Sequence, residues 1–461
     1  MFRHEADTAP LPPSLPLAPA LRHVVGTSAV VKICNTTLVW WRGLAHYWLR
    51  GGLYEDFPLH TGEDEASIES RVYVRSIALA MAMWSLPHYR NGTFREDMEK
   101  NLRNVAVPGT GIPLSVFCRG KLRFYFAVLV LAPLACLFAA AFVPDAVRDE
   151  SAKTKGKASG IAARFEELLL HPKDWFTLWR INCVLASYNA LVTKSDDFKM
   201  EDKWTFLQDA EKKGIPVSPT LDFPAIVVKD RNEEGGMGLH FYANAKHNGR
   251  WIIQKVLHNA PFIADMLPAN APLSTIRIVT ASAIGLPGSS GSSGADTVSA
   301  SVDSIEPLSA VLRLGREGAL TDHDAILFDA DLATGTIREG TINKQWYKLG
   351  LENVTLSLPA LTHPPAGPQR FTSHPDSGVS VTGKRIPDIS GICDLVKRAH
   401  FECCPTVPLC GWDVSLSDEG TVLLEVNLSC NFFQATIDRD RYFRFVDKHF
   451  TALERNTPIL A

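Results

Sequence analysis

The stretch GWDVSLSDEGTVLLEVN, residues 411–427, reads as two β-strands joined by a tight turn. Apolar residues alternate with polar or small residues on both sides of DEG, residues 418–420, as in a strand whose two faces differ. A three-residue loop with Gly420 in the left-handed conformation is a common hairpin connection. That loop predicts that Ser417 pairs with Thr421.

The same register predicts a cluster of oxygen ligands on one face of the hairpin. If Ser417 pairs with Thr421, then Asp413 pairs with Glu425, and the two-residue period places Asn427 on the same side. Two carboxylates and an amide oxygen suit Mg²⁺, which prefers hard oxygen ligands. The spacing leaves a second interpretation open, namely a surface hairpin with an exposed face of acids and amides.

A glycine-rich segment lies upstream, in VVKDRNEEGGMG, residues 227–238. Lys229 is predicted to end a buried strand, and Gly235, Gly236 and Gly238 follow it. A lysine beside a pliable glycine loop can hold nucleotide phosphates while the loop amides cover them. The segment is not a Walker A motif, and no GxGxxG follows a strand, so a simple turn is the alternative.

Arg277 lies in STIRIVTA, residues 274–281, an otherwise uncharged strand. A lone arginine there is commonly the charged tip of a half-exposed strand. Because Arg277 stands between a glycine-rich loop and an acid-amide hairpin, it is also a candidate for binding a phosphate or a carboxylate.

The remaining patterns mix helices and strands without strict alternation, which favours the α+β class. Asp174 is the predicted N-cap of the first long helix and Gly214 the predicted end of the second. The predicted helices are residues 174–192, 201–214 and 388–403, and the predicted strands are residues 225–229, 250–257 and 274–284. Residues 374–387 are predicted to form a loop.

Composition and charge exclude several classes of protein. The 461 residues are 46% hydrophobic, and 47 Lys+Arg against 50 Asp+Glu give a net charge of −3. These values exclude a disordered chain and argue against a protein that binds nucleic acid mainly through its phosphates. The nine cysteines include no CxxC pair and no accompanying histidine cluster, so we expect neither a zinc site nor an oxidising compartment. No secretory signal peptide is evident.

Residues 124–143, FYFAVLVLAPLACLFAAAFV, form an uncharged apolar stretch. Twenty residues of helix are long enough to cross the roughly 30 Å hydrocarbon core of a bilayer. Arg119, Lys121 and Arg123 precede the stretch, as is common at a membrane interface. A buried helix of a large soluble domain is the alternative interpretation.

Seven segments, in this order along the chain, resemble the ATP-grasp superfamily, and within it the sugar-transfer-associated branch related to alpha-L-glutamate-ligase-like proteins. The resemblance covers about residues 165–445. The segments are LWRINC (178–183), EDKW (201–204), VVKDRNEEGGMG (227–238), WIIQKVL (251–257), LSTIRIVT (273–280), HPDSG (374–378) and residues 411–427. The resemblance implies a fold of two α+β subdomains that grip ATP, with ATP and Mg²⁺ as cofactors.

The resemblance also implies residue roles around the nucleotide. Lys203 and Lys229 would contact the ATP phosphates under the loop of Gly235, Gly236 and Gly238. Backbone groups of Lys255 and Leu257 would form the adenine hinge, which begins at Gln254. Asp413, Glu425 and Asn427 would bind Mg²⁺, in agreement with the hairpin register. Arg277 would bind the transferred phosphate, so that Arg277 and Lys229 are the predicted catalytic residues.

The chain departs from the family pattern at two places. Gln254 stands where many members carry glutamate, a mild change for a hinge that acts through its backbone. Residues 320–329 read LTDHDAILFD where a pattern such as VDN followed by glycines is expected, which leaves the acceptor substrate undetermined. Arg313 and His374 are candidate substrate contacts with structural roles as the alternative. His323 is more consistent with a surface loop than with a metal ligand.

The resemblance implies an ATP-dependent carboxylate–amine ligase, and the apolar stretch predicts that this ligase is anchored to a membrane. ATP would phosphorylate a small-molecule carboxylate to an acyl phosphate, and an amine would then attack it. Two alternatives stay open: a kinase-like ATP-grasp enzyme acting on a sugar or lipid-linked hydroxyl, and a membrane adaptor with a decayed nucleotide fold. No nucleic acid partner is expected.

These inferences divide the chain into five parts. They are a helical N-terminal region (1–120), a transmembrane helix (121–144), a linker (145–164), the ATP-grasp domain (165–445, with a flexible Ser/Gly insertion at 285–304) and a C-terminal tail (446–461). The predicted topology is a single membrane pass. The catalytic part is expected to face the cytosol, because ATP is chiefly cytosolic. Asn427-Leu428-Ser429 is also a formal glycosylation acceptor, and a glycan on Asn427 would be incompatible with the predicted metal site.

Overall fold

The computed structural model describes residues 29–49, 65–105, 113–142, 160–232, 237–285, 301–342 and 370–456. Gly235, Gly236, most of the Ser/Gly insertion and most of the predicted linker lie outside these ranges. Helices and antiparallel strands are both abundant within them. The α+β class predicted from the sequence is therefore compatible with the structure.

The helices fall into an N-terminal group before residue 143 and a second group interleaved with the strands. They are α1 (Ala29–Leu49), α2 (Glu65–Ala82), α3 (Phe94–Asn101), α4 (Lys121–Phe126), α5 (Ala132–Phe142), α6 (Ile161–Leu170), α7 (Trp175–Thr193), α8 (Lys203–Lys212), α9 (Pro261–Ala264), α10 (Ile389–Cys403) and α11 (Arg439–Asn456).

The strands form one large sheet and one small one. They are β1 (Ala225–Lys229), β2 (Leu239–Ala243), β3 (Thr275–Ser282), β4 (Ile305–Leu314), β5 (Ile326–Ala330), β6 (Ile337–Ile342), β7 (Leu409–Ser417) and β8 (Gly420–Asn427). The large sheet has the order β6-β5-β4-β3-β7-β8, and β1 pairs only with β2. All of these strand pairs are antiparallel.

Side-chain caps fix where the main helices begin. The carboxylate of Asp174 accepts a hydrogen bond from the Thr177 backbone N–H at 2.8 Å and starts α7, as predicted. Asp202 starts α8 in the same way, so this helix begins two residues later than the predicted residue 201. Gly214 follows the helix with φ +65°, which is favourable for glycine. Local chemistry therefore sets these helix ends.

Residues 250–257 do not form the predicted strand. They make only isolated bridges, such as Thr220 with Gln254 and Asn244 with Trp251. The Lys255 N–H bonds to the Pro219 carbonyl at 2.9 Å. This apolar segment is instead an extended connection between the small sheet and the large one.

The large sheet is covered on both faces. Ile276, Ile278 and Trp412 face a core that includes residues of α8 and α10. The opposite face carries Val279 and Leu409, which join a second core. The second core includes residues of α2, α7 and α11. The N-terminal helices and the C-terminal half therefore share this hydrophobic interior, which we call the shared core.

Buried ion pairs join α2 to α11 across more than 370 residues of sequence. Arg75 Nε donates to Glu454 at 2.8 Å, and Arg71 Nη2 donates to Asp447 at 2.7 Å. The Arg75 and Glu454 side chains are each 1% exposed. The residues that precede the apolar stretch therefore contact the residues that follow it, which does not fit the predicted single membrane crossing between them.

The apolar stretch forms one interrupted helix, which we call the apolar helix (residues 121–142). It consists of α4, a π-helical segment (Ala127–Leu131) and α5. Lys121–Ala141 is long and apolar enough to cross a membrane, and only 28% of it is buried in the protein. A fully buried core helix, the alternative drawn from the sequence, is therefore not what the structure contains.

Residues 446–456, assigned from the sequence to a C-terminal tail, form the end of helix α11 in the structure. Helix α11 runs through Asn456, and Val446, Phe450 and Leu453 are fully buried in the shared core. Their spacing of three and four residues places them on one face of the helix. Only residues 457–461 lie outside the described part of the chain.

Candidate functional site

The closing hairpin has a different turn from the predicted one but the same central pair. Ser417 pairs with Gly420, so Asp418 and Glu419 alone form the loop. A bulge follows between Asp413 and the next residue, and it restores the predicted pairing of Asp413 with Glu425. The shorter loop and the bulge each shift the register by one residue, in opposite directions, so that the two shifts cancel. The predicted three-residue loop is wrong, whereas the predicted carboxylate pair is confirmed.

Burial excludes the alternative of an exposed acidic hairpin. Strand β7 lies between β3 and β8, and all nine of its residues are buried. Asp413 is only 6% exposed. A carboxylate in such a position requires an opposite charge or a full set of hydrogen bonds. The hairpin therefore has a partner for this charge.

Arg277 is that partner. It pairs with Asp413 in the β3–β7 register, and it is itself 5% exposed. Its Nε donates to Asp413 Oδ1 at 2.6 Å and its Nη2 to Oδ2 at 3.0 Å, a bidentate arrangement. Burial opposes ionisation of Asp413, but the charge and hydrogen bonds of Arg277, together with the charge of Arg313, outweigh it and lower the carboxyl pKa below its ordinary value. Arg277, Asp413 and Glu425 thus form one charged row across three neighbouring strands.

Arg313 extends this row onto β4. Its Nη1 lies 3.5 Å from Asp413 Oδ1, and its Nη2 donates to Asp322 Oδ1 at 2.9 Å. Asp322 also accepts a 2.5 Å hydrogen bond from the Thr275 hydroxyl. Burial raises the pKa of Asp322, against the opposing charge of Arg313. The segment 320–329, which departs from the family pattern, therefore supplies a carboxylate to the site.

Phe433 packs against both guanidinium groups and was not predicted from the sequence. Its ring centre lies 4.8 Å from Cζ of Arg277 and 4.9 Å from Cζ of Arg313. Phe433 has φ +49° and the adjacent Gln434 has φ +67°, conformations that are strained for residues other than glycine. No sequence pattern marks this position, because the strain and the stacking depend on how the loop after β8 closes.

Glu425, Asn427 and Lys203 form the accessible end of the row. Asn427 Nδ2 donates to Glu425 Oε1 at 3.2 Å, and Lys203 Nζ lies 2.5 Å from Glu425 Oε2. The Glu425 side chain is 22% exposed and that of Lys203 is 64% exposed. Lys203 therefore lies at the predicted metal site.

The donor set fits Mg²⁺, with a refinement of the predicted roles. Both oxygens of Asp413 accept hydrogen bonds from the buried Arg277. The Glu425 oxygens are also engaged, by Asn427 and by the exposed Lys203, but an ion at this accessible end can replace those contacts. Glu425 and the Asn427 side-chain oxygen are hard oxygen donors at the accessible end of the row, as Mg²⁺ requires. These two residues would hold the ion, and Asp413 would chiefly fix Arg277 beside it.

The small sheet carries Lys229 at its exposed edge. Strand β1 ends at Lys229, and its last three residues are exposed rather than buried as predicted. The prediction failed because no element of the described residues packs on the outer side of this two-stranded sheet. Val227 and Phe241 are consequently 52% and 64% exposed. Gly238, the described glycine of the loop, has φ +66°. The side chain of Lys229 is therefore exposed.

The predicted hinge lies where the connection from the small sheet meets the large one. Gln254 Nε2 donates to the Ser218 carbonyl at 3.2 Å. The Lys255 side chain forms an ion pair with Glu419 at the tip of the closing hairpin, and Leu257 is buried. The hinge segment and the hairpin are therefore held together.

His374 supports a loop rather than facing the charged row. It is fully buried, and its Nε2 lies 3.0 Å from the Gly315 carbonyl oxygen. Its Nδ1 accepts a hydrogen bond from the Asp376 backbone N–H at 3.2 Å. The predicted substrate contact at His374 gains no support from this position. His323 lies in a partly exposed 3₁₀ turn (Asp322–Asp324), as a surface loop would.

A buried cysteine–histidine cluster lies behind the sheet, although the sequence predicted none. His400, Cys404 and Cys410 approach one another within 4.8 Å. The His400 ring already bonds to the Thr280 hydroxyl at 2.7 Å and to the Val407 carbonyl at 2.9 Å. With both ring nitrogens occupied, the cluster is a hydrogen-bonded part of the core.

Comparison with known proteins identifies the segment that contains the hairpin. Residues 360–438 match the family model described as sugar-transfer associated ATP-grasp. The matched segment includes Asp413, Glu425, Asn427 and Phe433. No curated protein and no solved structure matches the chain significantly. The family match supports ATP-dependent activity of the ATP-grasp kind in general. Through this segment the chain is similar to the sugar-transfer-associated branch of the ATP-grasp superfamily.

Proposed function

We propose that the protein is an ATP- and Mg²⁺-dependent carboxylate–amine ligase that works at a membrane. The observation that carries the proposal is the charged row of Arg277, Asp413 and Glu425, with Asn427 beside it. The row joins a buried, fixed guanidinium to an accessible pair of oxygen donors. An enzyme that transfers a phosphoryl group needs both, since catalysis lies mainly in positioning and in stabilising charge.

Each residue has a distinct part in this proposal. Lys203 and Lys229, with exposed side chains, bind the phosphates of ATP. Arg277 orients the transferred phosphate, and Arg313, whose buried Nε has no hydrogen-bond partner in the structure, offers a second donor for an anionic substrate. Mg²⁺, when bound, neutralises charge on the phosphates. Asp413 holds Arg277 in place throughout.

The ligase is distinguished from a kinase by the fate of the phosphoryl group. In a ligase it passes from ATP to the carboxylate and then leaves as inorganic phosphate when the amine attacks. In a kinase it stays on the product. Hydroxylamine added with ATP, Mg²⁺ and a cell extract would replace the amine and convert the acyl phosphate to a stable hydroxamate, which mass spectrometry detects. A phosphorylated product with no hydroxamate and no amide would instead assign the kinase reaction.

Two substitutions test the nucleotide site itself. Glu425→Gln and Lys229→Ala should each abolish Mg²⁺-dependent ATP binding or turnover, measured by calorimetry and by ADP release. Glu339→Gln is the matched control for the first, because Glu339 lies on β6 at the opposite edge of the same sheet. Unchanged affinity and turnover in both site variants would refute the assignment.

The proposal places the site in the cytosol, the compartment that supplies ATP. Asn427 bonds to Glu425 at the metal site, so a glycan on Asn427 would prevent the proposed chemistry. A protease-protection assay on sealed membranes should find residues 160–461 accessible from the cytosolic side. Protection of these residues within the lumen would contradict this placement.

A further inference from the structure

We propose that the apolar helix does not cross the membrane but lies along the surface of one leaflet, beside α1. The occupant of its exposed face is then a bilayer with anionic headgroups. Three independent observations support this arrangement: contacts that hold both ends of the helix to one body, an exposed apolar row, and a flank of exposed cations.

The two ends of the apolar helix are attached to the same part of the protein. At its beginning, Phe124 stacks on Trp84 with ring centres 4.8 Å apart, and the Tyr125 hydroxyl donates to the Met81 carbonyl at 3.2 Å. At its end, Arg164 Nη1 donates to the Ala140 carbonyl at 3.3 Å. A crossing would place these ends on opposite sides of roughly 30 Å of hydrocarbon.

The ion pairs between α2 and α11 exclude a crossing in the same way. Helix α2 precedes the apolar helix and α11 follows it, yet Arg75 and Glu454 are paired in the dry interior. Hydrogen bonds of this length cannot form between groups on the two faces of a membrane. The residues before and after the apolar helix therefore lie on the same side of the membrane.

One face of the apolar helix is exposed along its whole length. The exposed positions follow the four-residue period of a helix face: Leu122, Phe126, Val130, Leu134 and Phe138 are 85%, 53%, 37%, 55% and 43% exposed. The opposite face, with Val128, Cys136 and Ala140, packs in the shared core. A helix that buries one side in protein and presents the other as a continuous apolar row suits an interfacial position.

Exposed charges on α1 and at the start of the apolar helix favour anionic lipid, although the neighbouring α6 carries Glu166 and Glu167. Lys32 and Arg42 on α1, and Arg119, Lys121 and Arg123 near the start of the apolar helix, are all exposed. Residues 29–49 and 113–142 contain no Asp or Glu. Cations beside an apolar face attract anionic headgroups, whereas a second copy of the chain would present the same positive charge and repel it.

Two tryptophans complete the hydrogen bonding that a lipid environment demands. Pro133 has no N–H, so the carbonyls one helical turn before it lack a donor from that residue. Trp40 Nε1 donates to the Val128 carbonyl at 3.2 Å, and Trp41 Nε1 donates to the Leu129 carbonyl at 2.9 Å. Unsatisfied backbone groups are costly in hydrocarbon, and tryptophan is favoured at the membrane interface.

Vesicle flotation tests the surface with the full-length protein diluted from detergent. It should float with phosphatidylcholine vesicles that contain phosphatidylserine and bind those of phosphatidylcholine alone more weakly. Lys121→Gln with Arg123→Gln should reduce binding to the anionic vesicles by about tenfold to thirtyfold. Equal binding of this variant and the unmodified protein to both vesicle types would overturn the electrostatic part of the proposal.

A matched pair of double variants tests the apolar row. Phe126→Glu with Leu134→Glu should abolish flotation. Phe223→Glu with Leu320→Glu, which changes a phenylalanine of the same 53% exposure and an exposed leucine elsewhere, should float like the unmodified protein. The proposal fails if the unmodified protein does not float and light scattering shows that it is a dimer which Phe126→Glu with Leu134→Glu converts to a monomer. The occupant of the apolar row would then be a second copy of the chain.

Thiol labelling distinguishes an in-plane helix from a crossing one. Ser85 and Lys173 are exposed and lie on either side of the apolar helix in sequence. In a Cys34→Ser background, Ser85→Cys and Lys173→Cys should both react with an impermeant maleimide from the same face of sealed membranes. Reaction of only one of them from that face would show a crossing and overturn the inference. The outcome does not depend on the ATP chemistry.

Discussion

Glu454→Gln would remove one charge from the buried ion pair that joins the N-terminal helices to α11. Both side chains of the Arg75–Glu454 pair are 1% exposed. Breaking a buried pair by removing one partner costs about 3–5 kcal/mol, because the other charge is left in the interior. Arg75 keeps a 3.0 Å hydrogen bond to the Thr451 hydroxyl and a 3.5 Å contact with Asp447, so we expect about 3 kcal/mol, at the lower end of that range.

Pulse proteolysis in urea measures this loss of stability without a spectroscopic probe. The urea midpoint should fall for Glu454→Gln and for Arg75→Met, whereas the double variant should lose less than the sum of the two, since no charge is then stranded. Glu99→Gln is the control, because its pair with Arg95 is a surface pair on α3 worth roughly 0.5 kcal/mol or less. A midpoint of Glu454→Gln equal to that of the control, or strict additivity in the double variant, would refute the reasoning.

Three further predictions concern the cores and the apolar helix. Trp412→Phe loses the 2.8 Å hydrogen bond to the Thr280 hydroxyl and leaves a void, so the free energy of unfolding should fall by about 2–3 kcal/mol in urea titrations. Burial lowers the pKa of His400 from 6.5 to about 4. The unfolded chain binds this proton first, so stability should decrease as the pH falls from 6.5 towards 4. His400→Asn should make this decrease smaller, while His88 and His449, whose pKa values are lowered in the same way, keep the rest of it. Pro133→Ala restores an N–H that competes with Trp41 for the Leu129 carbonyl. The Trp41 ring should then be held less firmly, and acrylamide should quench tryptophan fluorescence more strongly. The same measurement on Trp41→Phe gives the part of the quenching that comes from Trp41.

The sequence predicted the parts of the site that depend on local pattern. The two-residue period of β7 and β8 placed Asp413, Glu425 and Asn427 on one face, and the structure confirms their proximity. The turn was predicted wrongly because the loop type and the bulge are decided together, through packing of β8 against its neighbours. Two errors of one residue in opposite directions left the important pair unchanged.

The rest of the site depends on contacts that are distant in sequence. Nothing in STIRIVTA distinguishes a surface arginine from Arg277 paired to a carboxylate 136 residues away. The sequence likewise gives no signal that Phe433 would adopt a positive φ between two guanidinium groups. The docking of α2 on α11 was missed for the same reason, and with it the conflict between a single membrane crossing and the fold.

The bidentate pair of Arg277 and Asp413 determines which anions can compete for the site. Inorganic phosphate offers Arg277 little that the carboxylate does not already provide, and displacing that carboxylate would leave a buried charge unpaired. A polyphosphate that also contacts Lys203 and Lys229 spreads this penalty over several charged hydrogen bonds. Under the proposed ligase function, the protein should therefore be insensitive to the free phosphate of the cell, and the phosphate released from the acyl phosphate should leave without inhibiting the next turnover.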